Sequence, residues 1–425
     1  MTKKSSSTLS NANAAPSARR ARTAPTEVAR RRKESSNSRT SQPPLCCAMV
    51  TAYPSAKPSL LLPWLMGSQR SRRGANCVRL VSVTIPHNQL PPVCILGLGL
   101  IGGSLMRDLA GHGEQVFGYT RSRSATRAAQ KDGFDVSSDL AQTLTRAAES
   151  DALLVVAVPM DAVSGVFDAI AEHAGHCGIT DVVSVKKPVY DLVRAHGFQA
   201  RYVGGHPMAG TENSGWGASH EGLFHRAAWA VTYDFAYELD AAGEAVPESW
   251  SRLFTNVCAL AALTGAEAVP VSVARHDEAV ARVSHLPHVI AEALAIVGDH
   301  GGTLAQSLAA GSFKGATRVA GTDPSLVRNM CETNADALVP VLDEYIALLS
   351  SARDGLSGEN PSMQELAEAG NRSYVRIGAR SGARRESVSP VKISSRPVMR
   401  VHPGGPGWVA QLKQIEALGG RVEVF

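Results

Sequence analysis

No Cys-x-x-Cys pair occurs in the 425 residues, and the seven cysteines are scattered and odd in number. That absence argues against a disulfide framework and against spaced-thiolate zinc sites. It suits a reducing compartment, the cytoplasm. Cys94, inside an apolar run, reads as a small core residue. Long apolar runs are missing too: none approaches the ~20 residues of a membrane helix. The stretch 60–66 is broken by Pro63 and lies too far from the start for a usual signal peptide. Internal repeats are absent. Acids are nearly missing from residues 1–90, where fifteen Lys/Arg face only Glu27 and Glu34. The net charge of +5 is therefore misleading, because this segment is positive by thirteen and the rest negative by eight. A nucleic-acid partner would rest on that segment alone, and neither nucleic acid nor membrane is expected as a partner of the folded body. The composition of 1–90 fits a disordered basic tail, with a transit peptide or a nucleic-acid-binding arm as alternatives.

What is present begins abruptly after Pro91-Pro92. Apolar runs at 93–96, 116–119, 152–158, 182–183 and 202–203 alternate with helix-like stretches such as 103–112, 125–131 and 161–173. Buried runs alternating with helices predict an α/β fold with a parallel sheet covered on both faces. Residues 228–232 add a strand and 247–263 a helix. From Val273 to about Leu356 the pattern is helical, with Ala279, Val283, Leu286 and Ile290 on one face. The expected domains are a dinucleotide-binding domain at 91–272, an all-helical domain at 273–356 and a C-terminal extension at 357–425. Within the extension, 358–400 reads as a polar, loop-rich connector and the end as strand–helix–strand, too short for a core of its own.

Directly after the first strand stands Gly97-Leu98-Gly99-Leu100-Ile101-Gly102. Gly97 permits the tight turn, Gly99 the approach of a pyrophosphate, and Gly102 close helix–strand contact. The helix opening at Leu100 and Ile101 points free N–H groups at the phosphates. An NAD site wants an acid at the end of the second strand. Here Thr120 holds that place, followed by Arg121, Ser122 and Arg123. Guanidinium groups pair with a 2′-phosphate where a carboxylate would repel it, so NADP is favoured over NAD. Val158 and Pro159, at the end of the fourth strand, could support the cofactor or simply end the strand.

His206 follows Gly204-Gly205 at a strand end, where a neutral imidazole can take a proton from a substrate hydroxyl. The block His206-Pro207-Met208-Ala209-Gly210-Thr211-Glu212, with Ser184-Val185-Lys186, His276-Asp277, Ser284-His285-Leu286-Pro287-His288 and Thr317-Arg318-Val319-Ala320, resembles the prephenate/arogenate dehydrogenases of tyrosine biosynthesis. The resemblance spans about residues 93–355, and 377–425 look like an extension found in corynebacterial-type members. It implies a Rossmann-type domain, a helical dimerisation domain and hence a homodimer. It also implies oxidative decarboxylation of prephenate to 4-hydroxyphenylpyruvate, or of arogenate to tyrosine. By the same resemblance, His206 is the base, Ser184 bonds the ring hydroxyl or orients His206, and Arg318 holds a substrate carboxylate. Glu212 pairs with Arg318 as a gate, with helix capping its alternative. His285 and His288, three apart, share a helix face and suit substrate contacts. No metal is expected, and Lys186 and Lys314 read as surface residues. Pro287 between the histidines implies a kink or a helix start.

A β-hydroxyacid dehydrogenase would need a catalytic helix lysine with no match here, and a non-catalytic NADPH sensor would not need His206, Ser184 and Arg318 together. The loop at 120–123 predicts a higher kcat/KM with NADP than with NAD, reversed in Thr120→Asp/Arg121→Ala. A preference of the unmodified protein for NAD by about tenfold or more, about 1.4 kcal/mol, would contradict this reading.

Overall fold

The computed structural model describes residues 90–211, 213–380 and 396–425. The basic-tail reading and the role expected of Glu212 fall outside the described residues. Six short strands form one sheet: β1 (Val93–Leu96), β2 (Val116–Tyr119), β3 (Val136–Ser137), β4 (Leu153–Val156), β5 (Ile179–Asp181) and β6 (Tyr202–Val203). Their order is β3-β2-β1-β4-β5-β6, with every pair parallel. This is the doubly wound Rossmann order, in which ligands sit at the carboxyl ends of the strands. Side chains alternate across a strand, so Val93 and Ile95 enter one apolar cluster and Cys94 and Leu96 the other. All four are fully buried, as a sheet covered by helices on both faces requires.

Hydropathy alone misplaces the fifth strand at 182–183. Its true residues include Thr180 and Asp181, polar yet buried, and a buried carboxylate is stable only where donors surround it. The helices Leu140–Glu149 and Lys187–Ala195 also escape the sequence reading. A second sheet joins β7 (Gly205–Pro207), antiparallel to β8 (Ala228–Thr232), which runs parallel to β9 (Glu267–Val271). The helix Glu248–Leu263 supplies Trp250 and Phe254 to the core.

From Val273 onward the chain turns helical. Val273–His300 is continuous, with a π-helical turn at Ala281–His285 between two α-helical parts. Pro287, the expected kink or start, lies in the first turn of the second part. It has no N–H to give to the preceding turn, and the wider turn accommodates that loss. Its most apolar 18-residue window has a mean hydropathy of 1.3, so by length and composition alone this 28-residue helix is long and apolar enough to cross a membrane. It holds no uninterrupted apolar run of that length, since Arg, His, Asp and Glu residues recur along it. It is also the helix that carries His276, Asp277, His285 and His288. Four α-helices follow up to Leu356, the last two being Pro324–Thr333 and Ala335–Leu356.

The next helix, Gln364–Arg380, replaces the loop-rich connector expected there. Its Glu, Gln, Ala and Arg residues are strong helix formers, and polarity was the misleading signal. Gln364 and Arg372 both reach Glu368 four residues away, the spacing that supports an exposed helix.

The end forms β10 (Val398–Val401), the helix Trp408–Leu418 and β11 (Arg421–Val424), with β10 parallel to β11. Strand–helix–strand is as the sequence predicts, and the missing core is supplied by the first domain. Val401, Leu412, Ile415 and Val422 join the cluster that holds β1 and β8. Trp408 stands 5.7 Å from Phe254 and 6.1 Å from Trp250, ring to ring. Glu416 accepts from the Tyr233 hydroxyl at 2.5 Å and from the Ser272 N–H at 2.9 Å, at the start of the long helix. Trp408→Ala should therefore destabilise the whole protein by about 3–5 kcal/mol, the usual cost of removing a buried indole. Urea unfolding would measure this, and a loss below about 1 kcal/mol would show that the C-terminal unit is only loosely attached.

Candidate active site

Two loops at the carboxyl edge of the first sheet meet the long helix. Asp181, at the end of β5, accepts from the Tyr202 hydroxyl at 2.7 Å, the Val183 N–H at 3.0 Å and the Gly205 N–H at 3.3 Å. It also accepts from the Lys186 ammonium, which donates in addition to the Gly205 carbonyl at 2.7 Å. Lys186 was expected at the surface and is instead fully buried. A buried ammonium persists only when paired and hydrogen-bonded. Burial pushes its pKa down, and the Asp181 carboxylate pulls it back. The ammonium thus ties β5 to the backbone beside His206. A Cβ on Gly205 would stand 2.6 Å from the Asp181 carbonyl, so only glycine lets β7 come this close.

His206, half-buried on β7, places Nδ1 2.9 Å from Nε2 of His276. His276 places Nδ1 2.7 Å from Oδ1 of Asp277. The Asp277 carboxylate further accepts the Lys186 and Lys187 N–H groups, each at 2.8 Å. A carboxylate only accepts, so His276 carries its proton on Nδ1 and accepts on Nε2. His206 must then donate from Nδ1, which leaves its Nε2 lone pair as the available base. This tautomer is assigned from the hydrogen-bond network. Burial opposes the charge on Asp277, but the bonds from His276 and the two backbone amides outweigh it and hold the carboxyl below its ordinary pKa. Burial, then neighbouring His276, Lys186 and His285, push His206 well below the usual histidine pKa. His276 is lowered chiefly by burial. Ser184 lies half-buried on the loop before Lys186, and the bond that orients His206 comes from His276 rather than from Ser184.

His285 is fully buried, and burial pushes its pKa down to about 4. Asn334 donates to its Nδ1 at 3.1 Å and to the Asp277 backbone carbonyl at 2.9 Å. His288 is lowered by burial first, with Glu292 and the Val319 backbone acting against the lowering and Arg318 adding to it. Arg318, exposed, opens the 3-10 turn Arg318–Gly321, and Lys314 is exposed on the preceding helix. The structure therefore joins His206, His276, Asp277, Asn334 and His285 in one bonded network, with His288 and Arg318 beside each other. Asn334 carried no signal in the sequence. His276-Asp277 stood out only as a motif, without a role. Among the described residues the one grouping of three metal-type ligands is Asp151, His176 and Cys177. It shares no residue with this network, and burial pushes the Cys177 thiol up to about 11.

The glycine loop leaves room for a dinucleotide. Gly97 sits at φ +110°, where a Cβ would lie 2.4 Å from the Ala157 carbonyl, and a Cβ at Gly102 would lie 2.0 Å from the Gly97 carbonyl. Gly99 instead faces open space, with nothing within 4 Å of a Cβ. The helix Leu100–Gly111 begins there with Leu100 and Ile101, with no capping side chain and no acid in its first turn. Such a start suits a pyrophosphate. Val158 packs against Gly97, and Pro159 is the exposed N-cap of the helix Met160–His173. Thr120 is buried, its N–H bonded to the Ser137 carbonyl at 3.1 Å. The Ser122 hydroxyl accepts from the Ala125 N–H at 3.2 Å and caps the helix Arg123–Lys131. Arg121 and Arg123 are exposed. Arg123 and Arg127, with Ser137 and Ser138, line an open cavity of about 460 Å³.

Both the sheet-bearing part and the helical part of the chain are similar to known proteins. The nucleotide-binding domain of prephenate dehydrogenase matches residues 105–246, and its dimerisation domain matches 272–378. A Corynebacterium glutamicum protein assigned provisionally as a prephenate dehydrogenase is 54% identical, with a TM-score of 0.73 over 79% of this chain and 99% of its own. Prephenate dehydrogenase of Bacillus subtilis is 30% identical over 283 residues, 64% of this chain and 72% of its own. Arogenate dehydrogenase of Synechocystis is 26% identical, with a TM-score of 0.53 over 67% of this chain and 99% of its own.

His206, His276 and His285 all have folded pKa values below the ordinary one. The unfolded chain therefore binds more protons once the pH drops below about 6.5. Stability intact above that pH should be lost as the pH falls toward 4, where His285 protonates in the folded state. Melting temperatures at pH 7.5 and 5 should show this fall, and it should be smaller in His285→Gln. An equal fall in both proteins would remove His285 from the acid response.

Proposed function

Since the chain belongs to the prephenate dehydrogenase family, we propose that this dehydrogenase oxidatively decarboxylates prephenate to 4-hydroxyphenylpyruvate, using NADP in preference to NAD. The observation that carries the reading is the directed chain Asp277–His276–His206, which leaves the His206 Nε2 lone pair free in a half-buried site. Prephenate is a cyclohexadienyl alcohol bearing two carboxylates. His206 takes the proton of the ring hydroxyl as its carbon is oxidised, and His276, backed by Asp277, stabilises the imidazolium that forms. A nicotinamide, when bound, supplies the acceptor for the hydride from that carbon. The ring carboxylate then departs as CO2, its bonding pair entering the ring as it becomes aromatic, and the ring oxygen takes back the proton held by His206 to become the phenol hydroxyl. Arg318 and His288 suit a substrate carboxylate, the planar guanidinium matching its two oxygens. Ser184 suits the ring hydroxyl.

Gly97, Gly99 and Gly102 with the open start of the helix Leu100–Gly111 would hold the pyrophosphate, and Val158 would flank it. NADP is supported by Thr120 in place of an acid and by the exposed Arg121 and Arg123. Ser122 is a weaker candidate, since its hydroxyl already caps a helix. The assembly that fits is a homodimer. The helical region exposes Val283, Ile296, Val297, Leu304, Leu308 and Ile346, each more than half accessible, an apolar surface a second copy would cover. Arogenate is the second reading, supported by the likeness to the Synechocystis enzyme.

His206→Asn should lower kcat by about 100-fold or more, the usual range for losing a general base, with cofactor affinity nearly unchanged. Side-by-side kinetics of the unmodified protein on prephenate and arogenate would settle the substrate. Near-normal turnover in His206→Asn would remove that residue from the mechanism.

A further inference from the structure

Asn334 spends both hydrogens of its amide nitrogen inside the site, one on the Asp277 carbonyl at 2.9 Å and one on Nδ1 of His285 at 3.1 Å. The first bond fixes which way the amide faces, because a backbone carbonyl can only accept. The second bond then requires that Nδ1 of His285 be an acceptor. A neutral imidazole with a bare Nδ1 carries its proton on Nε2. That Nε2 is buried and has no partner among the described residues. Asn334 itself is buried, and it precedes the helix Ala335–Leu356, so its position is set by the helical domain.

We propose that Asn334 is a positioning residue that locks His285 as a fixed hydrogen-bond donor through Nε2, selecting a substrate oxygen, carboxylate or keto, and refusing an ammonium at that point. The proposal rests on the reading that His285 faces the substrate. An ammonium has only protons to give, and a locked Nε2–H has none to accept. The lock holds across the neutral range because His285 stays uncharged there. The titratable groups around it are Asp277 and His276 on its own helix, His288 one turn onward, and His206 on β7. Asp277 favours the charged form, and burial together with the other histidines disfavours it.

Asn334→Asp tests the lock by reversing the polarity of one bond. A carboxylate would accept from Nδ1–H, drive the proton off Nε2 and raise the His285 pKa. Selective 15N-histidine labelling, with His285 identified by its absence from the His285→Gln spectrum, reads the tautomer directly. The unmodified protein should show His285 protonated on Nε2 alone, and Asn334→Asp should show Nδ1 protonated. In kinetics, the KM of Asn334→Asp relative to the unmodified protein should rise about tenfold or more at pH 8, the cost of losing one bond to a charged group. That ratio should shrink toward pH 6, as the imidazolium regains a proton on Nε2. A purely structural loss would give a ratio independent of pH, which would overturn the proposal. So would an Nδ1–H tautomer in the unmodified protein, a result that needs no folded variant. If neither prephenate nor arogenate is turned over, the substrate reading fails, and the tautomer spectrum still decides the lock.

Discussion

The whole histidine network of this fold hangs on one carboxylate. Asp277 accepts two backbone N–H groups from the loop after β5 and one ring N–H from His276, while its own carbonyl takes an amide proton from Asn334. Those four bonds join the parallel-sheet domain, the long helix and the helix Ala335–Leu356. They also set a direction. Because the carboxylate can only accept, each successive group must donate toward it, and the last lone pair falls on His206. A buried charge of this kind is stable only because every oxygen has donors, and the two backbone donors survive any change of side chain except to proline.

Lys186 makes the complementary link from the other side. Its backbone N–H meets Asp277 and its ammonium meets Asp181 and the Gly205 carbonyl. One residue thus holds both partners of the His206–His276 pair, the first through β7 and the second through Asp277. The site is pre-organised by opposite charges placed on either flank of two neutral imidazoles. Burial favours the uncharged form of those imidazoles, the form in which a ring nitrogen keeps a lone pair.

Much of this was legible in the sequence, for stated reasons. The glycine loop and the short apolar runs announce the sheet because backbone turns and buried strands tolerate few residue types. A helix begins at Val273, where the helical spacing starts. What failed was reading polarity as exposure. Lys186 and Asp181 are buried because they neutralise each other, a relation between positions that no single residue reveals. The helix Gln364–Arg380 was lost the same way, since its polar residues are good helix formers with little to bury. Asn334 was invisible because its partners lie 49 and 57 positions away, and an asparagine before a helix reads as nothing more than a cap.

The Glu416 carboxylate also bears on how the chain folds. It grips the Ser272 N–H and hydroxyl, 144 positions earlier, where the helix bearing His276 and Asp277 begins. Closing so wide a loop is slow, because chain entropy is lost before the contact repays it. On the ribosome, residue 272 emerges well before residue 416, so that helix must start without its full complement of acceptors. Docking of the last helix should therefore come late in folding, and only then should the start of the helix bearing His276 and Asp277 gain its Glu416 partner.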